Sequence, residues 1–476
     1  MQFAAAMLLV IRLCALAPAI AAADENSDLD FIPQGVGPNQ APPGEPSVSS
    51  PAAAPAPARG KLYLEDAFTA SSLRNDLVVP FPPPHPAGWE NRSSLDGTDQ
   101  WDLAANLTAS LSDRFNVTAD DEVPFPTHDN LRNDFREGFL TLEPAPQSYL
   151  EGGRINLRNG VALGFNPTDF FKTRTQIDQA SLDPSVIRED RLGTVMLRGQ
   201  QIWSGGAASI AFAPKLYRPT AIPTGLQSGF DPRIDRTNAA DRFLISASYD
   251  FAEISPQALV YREGTQTRIG FDVSAQISQS IVAYAEWAGG NQLDLISQAI
   301  SYGKRTGTLP ANAAVLPPAD ASKDFRNDAA IGASWSSTAK ITVILEYHYQ
   351  QGGFSGETLR NWFAVGSAAG VPRTAVAGEL WYIRAFAADQ QQPLMRQEIF
   401  LRASWTDVFV ADLDLTAFSF ADVYDGSTLS QIAANYYLSK AWTLGAYLSA
   451  NLGSPRSERG SFPQQASAIL QLVRYF

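Results

Sequence analysis

Cysteine is all but missing from this chain: Cys14 is the only one among 476 residues, so no disulfide framework can form. Three histidines, His85, His128 and His348, are too few and too scattered for a Cys/His zinc site. Positive charge is short as well. There are 36 Lys and Arg against 49 Asp and Glu, a net charge of −13 and a pI near 4.8, which argues against nucleic acid as a partner. Only 18% of residues are charged while 45% are hydrophobic and 11% aromatic, too apolar a balance for a disordered chain. Beyond the amino terminus no run approaches the ~18 apolar residues of a membrane helix.

Catalytic constellations are lacking too. Gly353-Phe354-Ser355-Gly356 does not have the Gly-x-Ser-x-Gly spacing of a nucleophile elbow. His348 alternates with Glu346 on one polar face and has no third partner in the pattern, which reads as a pore-lining polar residue. His85 lies among prolines and His128 in another loop, neither with metal-ligand spacing, and Asp120-Asp121-Glu122 reads as a solvated strand end. No enzyme activity, cofactor or metal is expected.

Residues 1–23 read as a secretory signal: an apolar core around Leu8 to Ile11 and Leu13 to Ile20, then Ala21-Ala22-Ala23 as a small-residue cleavage site. Arg12 sits inside the core rather than before it, and initiation at Met7 instead of Met1 would place it better. Cys14 would leave with the signal. Residues 24–60 form a tether, with eight prolines between Pro33 and Pro57 mixed with Ala, Gly and Ser, a composition that cannot bury a core.

Residues 61–476 carry period-two alternation in segments of about ten residues, the pattern of strands with one apolar and one polar face. In Trp101–Leu111, every second residue from Trp101 is apolar, and Asp102, Asn106, Thr108 and Ser110 take the other face; Trp442–Leu452 repeats the scheme. Ionisable groups recur on the polar faces, and Trp101, Trp203, Trp287, Trp335, Trp405 and Trp442 fall at or near segment ends. An apolar band edged by aromatics predicts an all-β fold, a transmembrane antiparallel up-and-down β-barrel. Candidate strands are 61–70, 100–111, 114–123, 134–143, 148–158, 192–203, 206–216, 242–251, 254–263, 267–277, 280–289, 326–337, 340–350, 395–405, 410–420, 427–439, 441–452 and 465–476. That count is eighteen, or sixteen without the weak segments 61–70 and 134–143. Tight turns are expected at Ser112-Asp113, Ala252-Glu253 and Ser439-Lys440, and long loops at 159–191, 217–241, 290–325 and 351–394.

The last residues, Leu470-Gln471-Leu472-Val473-Arg474-Tyr475-Phe476, resemble the assembly signal of Gram-negative outer-membrane barrels, with Phe476 as its terminal aromatic. Arg474 departs from that pattern, a departure that a bulge near the end would compensate. Gly153-Arg154 to Gly160, followed by Asn166-Pro167-Thr168-Asp169-Phe170-Phe171, resembles a group of uncharacterised porin-like barrels, with alginate-export porins as distant neighbours. The resemblance implies a pore and names no substrate. Physically, Asn166-Pro167-Thr168-Asp169 is a turn: Pro167 presets its φ and the Asn and Asp side chains cap backbone amides. Two readings of loop 159–191 follow: the turn simply pins a long loop, or the loop enters the lumen as a constriction built from Asn166, Pro167, Asp169, Phe170, Phe171, Arg174, Arg188 and Arg191, the two aromatics under cover and the charged residues lining a wet gap.

Alternation places Arg154, Arg158, Arg198, Arg242 and Arg268 inward on early strands and Glu346, Asp412 and Asp414 inward further round. Segregated walls would set a transverse field across a pore; the same charges would otherwise pair with neighbours and solvate a wet interior. The expected function is an outer-membrane channel for passive diffusion of small hydrophilic solutes, the alternatives being a polysaccharide-export porin or a non-conducting anchor or adhesin. Residues 61–476 cannot supply the 22 strands and plug of a large outer-membrane transporter. Expected partners are outer-membrane lipid and lipopolysaccharide, the barrel-assembly machinery and small polar solutes, with the chain exported to a bacterial outer membrane.

Overall fold

The computed structural model describes residues 60–82, 85–121, 131–218, 232–313, 322–368 and 373–476. The signal, the tether before Gly60, His128 and Glu122 lie outside the described residues. Eighteen strands run in chain order: β1 Lys61–Leu73, β2 Trp89–Ala104, β3 Leu107–Asp120, β4 Leu131–Ala145, β5 Ser148–Ile155 and β6 Thr194–Trp203. They continue as β7 Gly206–Ala213, β8 Arg242–Tyr249, β9 Ile254–Glu263, β10 Gln266–Ser278, β11 Ile281–Gln292 and β12 Asp324–Ser336. The last are β13 Ile341–Gln350, β14 Gln397–Trp405, β15 Leu413–Asp422, β16 Thr428–Ser439, β17 Trp442–Leu452 and β18 Gln464–Tyr475. Each strand pairs antiparallel with its sequence neighbours, and β1 pairs with β18 from Tyr63↔Tyr475 to Leu73↔Gln464. The sheet is therefore closed and has no free edge, so every strand finds its hydrogen-bonding partners within the barrel.

Side-chain alternation sorts the two faces. Leu140, Leu197, Ile210, Ile331, Leu345, Ile432, Leu448 and Leu470 point outward and are exposed. Charged groups such as Asp96, Arg114, Asp134, Arg242, Glu286 and Glu346 point inward and are buried. A water-soluble protein inverts this arrangement; a continuous apolar exterior is what a bilayer-spanning barrel presents. Trp101, Trp203, Trp335, Trp405 and Trp442 ring the end that carries the short turns, all half-exposed outward. Trp287 departs from the expectation, since it stands in the middle of β11 with its indole N–H donating to Asn327 Oδ1 at 3.1 Å.

Strand number matches the favoured eighteen, with corrected boundaries. Ser112-Asp113 lies inside β3, and the turn is at Ala105-Asn106. A bulge between Asp102 and Ala104 lets Trp101 pair with Ala109 and Asp99 with Leu111, odd residue with odd residue. Alternation then runs unbroken through the hairpin, which hides the chain reversal from the pattern. The turn expected at Ser439-Lys440 sits one residue later, since Ser439 pairs with Trp442. No bulge lies near Arg474, because the β1 to β18 register slips only at Ser72/Leu73, at the other end.

The opposite end carries the long connections. Within them lie helices α1 Pro184–Glu189, α2 Ile234–Thr237, α3 Leu295–Thr306, α4 Gly356–Ser367 and α5 Arg373–Asp389. Asp294 caps α3 by accepting from Ser297 N and Ser355 caps α4 by accepting from Thr358 N, while Gly307 at φ 76° stops α3. The last three helices bury one apolar cluster, including Trp362, Phe363, Leu380 and Ile383, against Val79 from the β1–β2 connection and Phe462 from the β17–β18 connection. Arg384 is enclosed there by the rings of Trp362, Trp381 and Phe462, at 4.2–5.2 Å from their centroids, and donates to Ser461 Oγ at 2.7 Å.

Candidate pore constriction

Residues 156–193, between β5 and β6, fold across the inside of the barrel. The base of this loop is closed by Arg191, which donates to both Asp169 oxygens at 2.8 and 3.1 Å, to Asn156 Oδ1 at 2.6 Å and to Leu157 O at 2.9 Å. Both partners of this bidentate pair are buried. Asn166 builds the turn: its Oδ1 accepts from Asp169 N at 3.0 Å and its Nδ2 donates to Asn159 O and Ala162 O. Lys172 Nζ donates to Asn166 O at 2.6 Å and lies 4.5 Å from the Phe165 ring centroid. Burial pushes this ammonium down to about 8, against the raising fields of Asp169 and Glu286.

Two wall carboxylates hold the loop. Glu286 on β11 accepts from the amides of Val161, Ala162 and Thr168 and from Thr168 Oγ1, at 2.6–3.0 Å. Glu346 on β13 accepts from the amides of Leu163 and Gly164 at 2.7 and 2.8 Å, and from Tyr284 Oη at 2.6 Å. Glycine is required where the chain presses on the wall. Gly160 has φ 83°, and a Cβ on Gly164 would lie 2.6 Å from Phe400 Cγ. His348 closes this corner, its Nε2 2.7 Å from Glu346 Oε2 and its ring stacked on Phe400. It is buried, not lining a wet pore.

Further along, the loop reaches the other walls. Asp190 meets Arg136 at 2.7 Å, Asp178 pairs with Arg132, Asp183 meets Arg402 at 2.8 Å, and Leu182 N donates to Gln431 Oε1 on β16. Ala180 packs on Ala433 and Tyr447. Pairings with β4, β11, β13, β14 and β16 mean that the segment traverses the lumen.

Of the residues selected from sequence, Asn166, Pro167, Asp169, Arg174, Arg188 and Arg191 all fall in this loop. Arg188 donates to Asn159 O and Gly160 O at 2.9 Å; Arg174, at φ 61°, donates to Tyr302 Oη at 3.1 Å. Phe170 and Phe171 face the wall, Phe170 stacked on Tyr261 at 4.5 Å, and the guanidiniums of Arg268 and Arg242 lie over them at 5.2 and 5.8 Å. Arg198, Arg242, Arg268 and Glu346 point inward, and each of the three arginines meets a carboxylate: Glu151 at 3.0 Å, Glu263 at 3.5 Å and Asp328 at 2.6 Å.

Three placements differ from expectation. Arg154 pairs with Val195 and shares the outer face with Leu150 and Leu197, whereas Ile155 and Met196 take the lumen face. Its guanidinium is buried at the long-loop end, donating to Gly193 O at 2.9 Å and to Pro232 O and lying over the Phe135 ring. Arg158 lies beyond the end of β5, in the loop, and is exposed. Asp412 is an exposed turn residue at φ 65°, whereas Asp414 keeps the expected inward face with Phe418 and Asp422, at the short-turn rim, where its Oδ1 accepts from Asp407 N. Charge is not segregated either. On β1–β4, Arg114 meets Glu65 at 2.9 Å and Asp96 at 3.3 Å, Arg136 also pairs with Asp96, and Arg233 meets Asp134 at 3.0 Å.

Sequence reading missed Glu286, Arg92, Arg114, Arg132 and Arg136. Glu286 stood in plain alternation between Tyr284 and Ala288, while residues 89–99 had not been assigned to a strand.

No protein-family model matches the sequence, and neither does any curated protein. Among solved structures, similarity extends to OccAB3 of Acinetobacter baumannii, at 9% identity and TM-score 0.49 over 88% of this chain and 99% of that one. OccK11 (OpdR) of Pseudomonas aeruginosa gives 10% and 0.48 over 88% and 96%, and OmpF of Salmonella typhi 9% and 0.40 over 88% and 97%. A likeness at this level assigns no activity, and the function is argued from the site itself.

Proposed function

We propose that the chain is an outer-membrane channel through which small hydrophilic solutes diffuse passively, with loop 156–193 as its constriction. The observation that carries this reading is the loop's attachment: a polar segment held across a polar lumen by ion pairs and carboxylate–amide bonds on opposite walls. A barrel of this strand number encloses more space than side chains alone fill, and an inserted loop sets the width. The apolar exterior supplies the membrane half of the argument. Arg158, Arg198, Arg188 and Asp178 are assigned to the aqueous path, and Asn166, Pro167 and Asp169 to the rigid turn that keeps the loop's shape.

Reconstitution in a planar bilayer tests the proposal. Discrete conductance steps are expected, and removal of residues 174–191 should raise the step size several-fold and flatten ion selectivity. A purified barrel that shows the heat-dependent gel shift yet never conducts would leave the anchor or adhesin alternative standing.

A further inference from the structure

The lumen wall is not uniform in charge. Among the described residues, the inward positions of β16, β17 and β18 carry no Asp, Glu, Lys or Arg, whereas β10–β14 bring Arg268, Asp272, Glu286, Asp328, Glu346 and Arg402 inward. Coverage differs in the same sense. The charged wall of β10–β14 is buried beneath the loop, while Thr69, Ser71, Ser449, Asn451, Ser467 and Ile469 remain half-exposed on the neutral side.

Those neutral positions are in register. Ser71 pairs with Ser467 and Ser467 with Ser449, so three hydroxyls stand in a row across β1, β18 and β17, about 4.8 Å from strand to strand. Ser449 Oγ and Ser467 Oγ are 2.6 Å apart, and Gln464 Nε2 donates to Ser71 Oγ at 3.1 Å. Each hydroxyl can donate and accept, which lets a sugar or polyol exchange its water hydrogen bonds one at a time along the row. Half-exposed Ile469, next to Ser467 on the same face, supplies an apolar contact for C–H groups.

An ion gains nothing comparable here. The guanidiniums of Arg402 and Arg459 are engaged by Asp183 and Glu398, and that of Arg74, at the end of the row, by the Asn451 carbonyl at 2.7 Å. The charged groups flanking the row on β2 and the loop are Glu90 and Asp178, beside Arg92 and Arg132; the two carboxylates are the more exposed members. They disfavour anions in particular.

We infer that solutes pass along the β16–β1 side of the lumen and that the path favours uncharged polyhydroxylated solutes over ionic ones of equal size, a statement that rests on the channel reading above. The test is proteoliposome swelling with glucose, gluconate and glucosamine, with potassium chloride conductance measured on the same preparation. Glucose should enter several-fold faster than either charged sugar. Replacing Ser71, Ser449 and Ser467 together by Ala should slow glucose several-fold and lower its ratio to gluconate, a larger change than that in ion conductance. Where the triple variant lacks the heat-dependent gel shift, Ser467→Ala alone carries the same comparison. Entry of gluconate or glucosamine at the rate of glucose overturns the inference, as does an unchanged ratio in a folded variant. Absence of both swelling and conductance overturns the channel reading with it.

Discussion

Glu286 and Glu346, two strands apart on β11 and β13, divide four consecutive loop amides between them: Glu286 takes residues 161 and 162, Glu346 takes 163 and 164. Backbone amides in an irregular buried segment must be paired, and no strand is available to pair them. Hydrogen bonds to a charged acceptor contribute about 1.5–3 kcal/mol each, so the two carboxylates supply much of what fixes the loop.

Replacing both glutamates by Ala should therefore detach the loop while the barrel still assembles. Single-channel steps should grow several-fold and become noisy, and trypsin should gain access to Arg174 and Arg188. Unchanged step size in the double variant would mean that the ion pairs to β4 and β14 hold the loop without help.

The Asp169–Arg191 pair makes a different prediction, because both groups are buried. Asp169→Ala strands the Arg191 charge, a change that costs about 3–5 kcal/mol when such a pair loses one partner. The loop base should open and become protease-sensitive. Replacing the pair together by Leu and Met should restore protection, since the desolvation cost disappears with both charges; failure of the double variant to recover would show that the bidentate geometry itself is needed.

pH should act on the helical cap through Glu458, in the β17–β18 connection. Burial raises its carboxyl from 4.5 to about 7, against the lowering field of Arg459. An acid with a raised folded value binds its proton more tightly in the folded state. Its contribution is complete below 4.5 and is lost as pH rises through about 7, with an upper bound of about 3 kcal/mol. The Glu458 carbonyl accepts from Arg384 at 2.6 Å, beside Trp362 and Trp381, so tryptophan fluorescence reports the site. The thermal midpoint of that signal should be higher at pH 5 than at pH 8 in the native chain, and the difference should shrink in Glu458→Gln.

Much of this architecture is legible in the sequence, and what is hidden there is hidden for physical reasons. Period-two alternation reveals faces, and it gave the closed barrel, the strand number and the inward direction of Arg198, Arg242, Arg268 and Glu346. It cannot show where a chain reverses when a bulge preserves parity, as between Asp102 and Ala104. Nor does it reveal facing at a strand end: Arg154 sits on the outer face but is covered by Phe135 and by the carbonyls of Gly193 and Pro232, which come from distant loops. Pairing of charges is equally non-local, since Asp183 and Arg402 are 219 residues apart. The helices were hidden for a simpler reason: their caps at Asp294 and Ser355 lay inside segments read as long loops.

Barrel closure joins the two ends of the chain. β18 must find β1 across the whole chain, and its final residue takes part: Phe476 N donates to Leu62 O at 2.9 Å. Arg474 points outward at the short-turn rim, with its guanidinium 4.8 Å from the Phe476 ring centroid and 5.4 Å from that of Trp442. The arginine that departs from the terminal pattern thus lies between two rim aromatics, where a cation is held by ring faces and remains near water. Deleting Phe476 removes one seam hydrogen bond and one of those faces, and assembly into the membrane should fall several-fold, read as the fraction showing the heat-dependent gel shift. Arg474→Leu keeps the seam bond and should assemble almost normally; Arg474→Glu places a carboxylate against the same rings and should assemble less well than either the native chain or the Leu variant. If all three variants assemble alike, the terminal residues are passengers and closure is driven by the ladder from Tyr63 to Leu73 alone.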